Sequence, residues 1–182
     1  MVTADKTRMK LVEHIKKQGW QGAIVSIGRV KDLETEIGSR RQKGLLDPVL
    51  FDKYLASFDF SCERRLADAR SLIIVAVPQP QVRVVFETGH DSFPVMIPPT
   101  YACSIDQQVS AKLDSFLSST SYHFKKVRLP EKLLAVRSGL ARYGKNNISY
   151  IPDLGSFYRP VVFISNVPCE ADSWREPTVM TE

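Results

Sequence analysis

Gly139-Leu-Ala-Arg-Tyr-Gly144-Lys145-Asn146 is the stretch of this sequence whose residue types and spacing come nearest to a known chemistry. It fits the phosphate-cradling pattern G-x4-G-K, in which glycine amides and a lysine hold a nucleotide's phosphates. The position that should carry Ser or Thr for magnesium holds Asn146 instead. The order of elements is also reversed, because a helical pattern precedes the stretch and a strand pattern follows it. Nucleotide hydrolysis is therefore rejected. The residues keep a simpler meaning: Gly139 and Gly144 permit positive φ and close backbone approach, and Lys145, Asn146 and Asn147 supply donors beside those amides. A helix cap followed by a polar turn explains the same spacing without any ligand.

Other chemistries have less to stand on. His14, His90 and His123 do not pair at metal-ligating spacing, and they read as surface or core histidines. Cys62, Cys103 and Cys169 include no CxxC pair, which argues against a disulfide framework or a thiolate metal site and suits a reducing compartment. Cys103 lies at a helix start without a base in sight, and reads as a small buried residue. Ser71 and Ser156 lack the strand–turn–helix setting of a catalytic nucleophile.

The elements that must position these residues form an α+β pattern. Residues 5–18 place Met9, Val12 and Ile15 on one helical face and stop at Gly19. Residues 23–27 read as a short strand, 31–43 as a polar helix, and Asp47-Pro48 as the start of another. SLIIVAV (71–77) is a strand apolar on both faces. Residues 82–86 and 93–97 are expected to form a hairpin turned at Gly89-His90-Asp91, although Pro94 weakens its second strand. Residues 104–117 are an amphipathic helix, 122–127 a strand, and 129–138 a helix begun by Pro130 and closed by Gly139. Residues 148–151 and 157–165 read as strands around a turn at Asp153-Leu154-Gly155. The expected fold is a mixed sheet flanked by helices over residues 1–166. An extended, aperiodic stretch, 167–182, follows and reads as a linker.

At 182 residues the chain is long enough for one domain with its own core. Its 43% hydrophobic and 25% charged content is that of a water-soluble protein. No apolar stretch reaches the roughly 20 residues that cross a bilayer, and the N-terminus has no signal-peptide core, so a cytoplasmic location is expected. The net charge of +5 is unevenly placed. Lys125, Lys126, Arg128, Lys132, Arg137, Arg142 and Lys145 face a single acid, Glu131, between Ser121 and Tyr150. Such a segment favours an anionic partner, a phosphate, a nucleotide cofactor or RNA; a solvated basic face is the plainer reading.

Taken together, AVRSGLARYGKNN, then Ile151-Pro152, then Leu154-Gly155-Ser156-Phe157, resembles a signature of the epoxyqueuosine reductases and their relatives. Ala69-Arg70-Ser71 with its strand, and Pro99-Thr100-Tyr101-Ala102 before a helix, are similar to two further family segments. The resemblance implies a cobalamin-binding, nitroreductase-like α+β domain related to those of reductive dehalogenases. It also implies a ferredoxin-like domain with two 4Fe-4S clusters beyond residue 182, passing electrons to cobalt. Carried over by position, Tyr101, Asn146, Ser149, Pro152, Gly155 and Ser156 would face the cobalamin, and Lys145 would serve a phosphate or the substrate. One position departs. Where the family has its proton-donating aspartate, this chain has Lys125, with Glu131 the nearest acid, so the resemblance carries a redox role but not the epoxyqueuosine substrate. A flavin-binding reductase-like domain and a non-catalytic RNA-binding or electron-transfer module remain alternatives, with a small molecule or tRNA as the possible substrate.

Overall fold

The computed structural model describes residues 2–98 and 105–180. The expected contacts of Tyr101 and the expected burial of Cys103 lie outside the described residues. In chain order the elements are α1 (Val2–Lys17), β1 (Gln21–Ser26), α2 (Arg29–Gln42), α3 (Pro48–Leu50), α4 (Cys62–Arg65), β2 (Ser71–Pro78), β3 (Val82–Thr88), β4 (Asp91–Ile97), α5 (Asp106–Leu117), β5 (Phe124–Lys126), α6 (Glu131–Arg137), β6 (Arg142–Tyr143), β7 (Ser149–Tyr150) and β8 (Tyr158–Ser165). α3 runs on into a π-helical turn over Phe51–Leu55. The helix there starts as its sequence suggests, with the Asp47 carboxylate accepting from the Leu50 amide at 2.9 Å and Pro48 in the first turn.

The main sheet has the order β1-β2-β8-β5. The sequence suggested a mixed sheet; its three described ladders are all antiparallel. The continuous apolar run of β2 records cover on both faces, a condition more usual for parallel strands. Here helices cover both faces of an antiparallel sheet. Ile73, Val75, Val77, Val161 and Phe163 pack with Leu11 and Ile15 of α1 and Val109, Leu113 and Leu117 of α5. Leu72, Ile74, Ala76, Val162 and Ile164 pack on the other side with Leu33 of α2 and Leu134, Ala135 and Val136 of α6. Successive residues of β2 thus enter opposite cores, so every position from 72 to 77 is apolar. Each such Leu, Ile, Val or Phe contributes about 1.5–3 kcal/mol by leaving water.

The expected hairpin forms, with a two-residue turn at Gly89 (φ 61°) and His90. Pro94 stands opposite Val85. Having no N–H, it must occupy a position whose amide would point away from β3, and this blunts the outer edge of β4. Val82, Val84, Phe86, Phe93, Val95 and Ile97 share one face of the hairpin by pairing, and four of them are exposed.

Residues 167–180 form no helix or strand beyond one bridge at Val179, and they run along the domain surface. Val167 is buried, Asp172 pairs with Arg29 at 3.0 Å, and Val179 bridges to Tyr143.

Candidate functional site

The glycine-bounded stretch is organised around α6 and a small hairpin. α6 ends where Gly139 adopts φ 84°, a left-handed conformation that favours glycine. The chain then forms β6, turns over residues 144–148, and returns as β7. The Gly144 amide donates to Ile148 O at 2.7 Å and the Asn147 amide to Gly144 O at 3.0 Å. Asn146 builds the turn with its side chain: Oδ1 accepts from the Ile148 amide at 3.1 Å, and Nδ2 donates to Tyr150 Oη at 3.1 Å. A Cβ at Gly144 would stand 2.6 Å from the Tyr150 ring, so only glycine admits this packing. Lys132 of α6 donates to Asn147 O at 3.0 Å and so ties the helix to the turn. Helix precedes and strand follows, which is the reverse of a phosphate-binding loop.

A second turn follows β7. Ile151 bridges to Gly155, with Asp153 at φ 66° and Gly155 at φ 62°. Pro152 O accepts from Gln21 Nε2 of β1 at 2.9 Å. Lys145, Asn146, Pro152, Gly155 and Ser156, carried over from the family resemblance, therefore sit on two turns at either end of a two-residue strand that holds Ser149. Lys145, Asn146, Pro152 and Gly155 are exposed, and Ser156 is half-buried. Nothing stands within 4 Å of where a Cβ on Gly155 would lie. Ser149 differs from these: it is buried, and its hydroxyl accepts from Tyr158 Oη at 2.6 Å.

Glu131, at the start of α6, is the acid nearest to Lys125 in the basic segment, and the structure gives it an unusual setting. Burial pushes its pKa up to about 7, and the Asp106 charge adds to the rise while Lys126 and Arg159 oppose it. Lys126 itself is ion-paired with Asp106. The result is a carboxyl group that keeps its proton to a higher pH than an ordinary glutamate. Its sequence signal was its position as the lone acid in a basic segment. Burial, which sets its pKa, is invisible in sequence. Lys125, where the family resemblance placed a proton donor, is exposed.

The remaining candidates act structurally. His14 lies against Phe116 with ring centroids 5.0 Å apart, and His123 pairs with Asp68 on the surface. Among the described residues no group of three or more His, Cys, Asp or Glu side chains could hold a metal. Cys62 and Cys169 pack against opposite faces of the sheet, so they cannot form a cluster-binding thiolate set. Burial raises the pKa of Cys169 and so quiets its thiol. An open groove of about 540 Å³ between α1, β1 and residues 171–173 lies at the sheet edge remote from β5. No described helix is long and apolar enough to cross a membrane.

No protein-family model matches the sequence, and no curated protein does. Solved structures do match. A selenomethionine-labelled epoxyqueuosine reductase superposes with a TM-score of 0.64 at 17% identity, over 97% of this chain and 50% of its own. An epoxyqueuosine reductase in complex with an epoxyqueuosine-modified tRNA-Tyr stem loop gives 0.64 at 18%, over 97% and 49%. The Bacillus subtilis enzyme, with its catalytic loop swung out of the active site, gives 0.60 at 18%, over 97% and 49%. This chain thus has an epoxyqueuosine-reductase-like α+β fold and spans about half the length of the reductases that share it.

Proposed function

We propose that this chain is the cofactor-binding domain of an oxidoreductase that works reductively with a corrinoid. The observation carrying the proposal is the pair of exposed, glycine-containing turns around β7, one of them tied to α6 through Lys132, the residue after Glu131. The open space above Gly155, and the exposed donors of Lys145 and Asn146, fit a flat macrocycle rimmed with amide arms. When bound, the corrinoid would supply the electron transfer to substrate, with the protein setting its position and surroundings. Lys145, Asn146, Pro152, Gly155 and Ser156 would seat it through backbone and small-side-chain contacts. Ser149 would act from below by fixing Tyr158. Glu131 would donate the proton that accompanies reduction, in the place of the aspartate that Lys125 replaces. Iron–sulfur clusters find no ligands among the described residues, so electrons would have to come from outside them.

Titration with hydroxocobalamin, followed by its visible spectrum, tests the proposal. A saturable spectral change is expected, and Gly155→Val should weaken it about tenfold, a loss of about 1.4 kcal/mol, because it fills the open space and strains a backbone held at φ 62°. Absence of any change, or saturable binding of FMN in its place, would overturn it.

A nucleic-acid substrate is the reading favoured by a second observation. Lys125, Arg128, Arg142 and Lys145 are exposed and form no ion pair with any described residue. Binding of a tRNA anticodon stem-loop should weaken steeply as salt rises. Each of Arg142→Ala and Lys145→Ala should then reduce the log–log slope by about 0.7–0.9 if it meets a phosphate. A slope near zero in the unaltered protein would exclude this substrate class.

A further inference from the structure

The turn at 144–148 is not held by its own hairpin alone. β6 and β7 pair over only two residues each, Arg142 with Tyr150 and Tyr143 with Ser149. A two-stranded ribbon of this length is not stable by itself in water. Its missing support comes from residues 172–180.

That segment is anchored at one end by Asp172. The carboxylate accepts from the Ser26 amide at 3.0 Å, from the Arg29 guanidinium at 3.0 Å twice, and from the Trp174 amide at 3.2 Å. Burial opposes the charge, but these bonds prevail and hold the Asp172 pKa below the ordinary carboxylate range. The Trp174 ring then lies 5.3 Å from the Arg29 guanidinium and 5.8 Å from that of Arg137.

From there the segment satisfies the carbonyls that the end of a helix leaves open. Ser173 Oγ donates to Ser138 O at 2.6 Å, and the Arg175 amide to Arg137 O at 2.9 Å. The Arg175 guanidinium donates to Gly139 O at 2.9 Å and more weakly to Ala141 O at 3.5 Å. Glu176 pairs with Arg137 at 2.6 Å. Tyr143 is taken on both sides, its amide donating to Thr178 O at 3.2 Å and its carbonyl accepting from the Met180 amide at 2.7 Å. Gly144 is the next residue.

We infer that residues 172–180 form a strap that positions the turn at 144–148, with Arg175 its principal positioning residue. The strap acts as the third strand of the β6–β7 ribbon and as the cap of α6. The turn it fixes is the one assigned above to the corrinoid, and in that respect the inference rests on the proposed function. The mechanical claim does not. A strap that merely adds stability would protect the whole domain evenly; a positioning strap protects the turn selectively.

Amide hydrogen exchange on the full chain separates the two. In Arg175→Ala, the amides of Tyr143, Gly144, Asn147 and Ile148 should exchange about tenfold faster, while those of β2 keep their rates. Arg175→Lys, which retains one donor for Gly139 O, should recover part of the protection. Met180→Pro is the second variant. It deletes the amide that caps Tyr143 O, restricts Val179 before it and leaves the core untouched, so it should loosen the same four amides. Equal acceleration in β2, or no change at the turn in either variant, overturns the inference. Hydroxocobalamin affinity should fall in parallel with the loss of protection. If the unaltered protein binds no corrinoid, the functional proposal fails, and the exchange pattern still decides the strap.

Discussion

Glu131→Gln is expected to make the protein more stable at pH 8 and to leave its stability at pH 4.5 nearly unchanged. The Glu131 carboxyl has a folded-state pKa of about 7 against an ordinary value of 4.5. Between these values the folded protein binds a proton that the unfolded chain has released. Stability therefore falls as pH rises from about 4.5 to about 7, and stays depressed above that. At roughly 1.4 kcal/mol per pKa unit, the full loss is about 2–3 kcal/mol once partial exposure is allowed for. Glutamine has the shape of the neutral acid and no proton to lose, so the variant should escape this limb. For a chain of this size the gain corresponds to about 5–10 °C in Tm at pH 8. Urea unfolding of both proteins from pH 4.5 to 8.5 measures it. Parallel curves would mean that the carboxyl titrates normally, and with that the proton-donor role would lose its physical basis.

Phe163→Ala is expected to destabilise the fold by about 3–5 kcal/mol, a large share of the 5–15 kcal/mol that holds a typical domain. Phe163 sits mid-strand in β8, fully buried, with Ile73 on one flank and Lys126 on the other. Its ring meets that of Phe124 edge-on at 5.3 Å and 87°. Truncation opens a cavity between the sheet and α5 that neither neighbour can close, because both are held in the ladder. Phe86→Ala provides the contrast. That ring is 55% exposed on the projecting hairpin, so its removal should change stability by no more than about 0.5 kcal/mol. The two urea midpoints, measured side by side, should differ by most of the larger figure. Equal midpoints would mean that the hairpin is packed and the β8 core is loose, the opposite of the arrangement described.

The two effects meet at β5. Phe124 anchors that strand in the core on one side of Phe163, and Lys126, two residues on, lies beside Glu131 and Asp106. The short strand thus carries core packing into the setting of the candidate acid, so damage to the β8 core should also disturb the Glu131 titration.

Much of the fold could be read directly from residues. A continuous apolar run located β2, and period-3.6 apolar patterns located α1 and α5, because burial of those faces is the main driving force and leaves its mark on composition. Gly19, Gly89, Gly139 and Gly155 marked chain reversals, since each adopts a positive φ that other residues resist. The hairpin at 82–97 was legible despite Pro94, whose missing amide is harmless on an outer edge. β6 escaped notice, as two residues offer no period to detect. The antiparallel arrangement of the main sheet was equally hidden, because an apolar strand records how thoroughly it is covered and not which way its neighbours run.

The glycine-bounded stretch at 139–148 shows the same division. Sequence alone established a capped helix, a polar turn that is no phosphate-binding loop, and a basic surrounding with one acid in it. Those are local properties, set by φ preferences, missing hydroxyls and charge counts. Tertiary structure decided that Glu131 is held near neutrality and that Ser149 turns inward to Tyr158. It also decided that residues 172–180 close the helix end from more than thirty residues away. Each of these depends on what lies beside the residue in space, and burial, electrostatics and cross-chain hydrogen bonds exist only once the chain has folded.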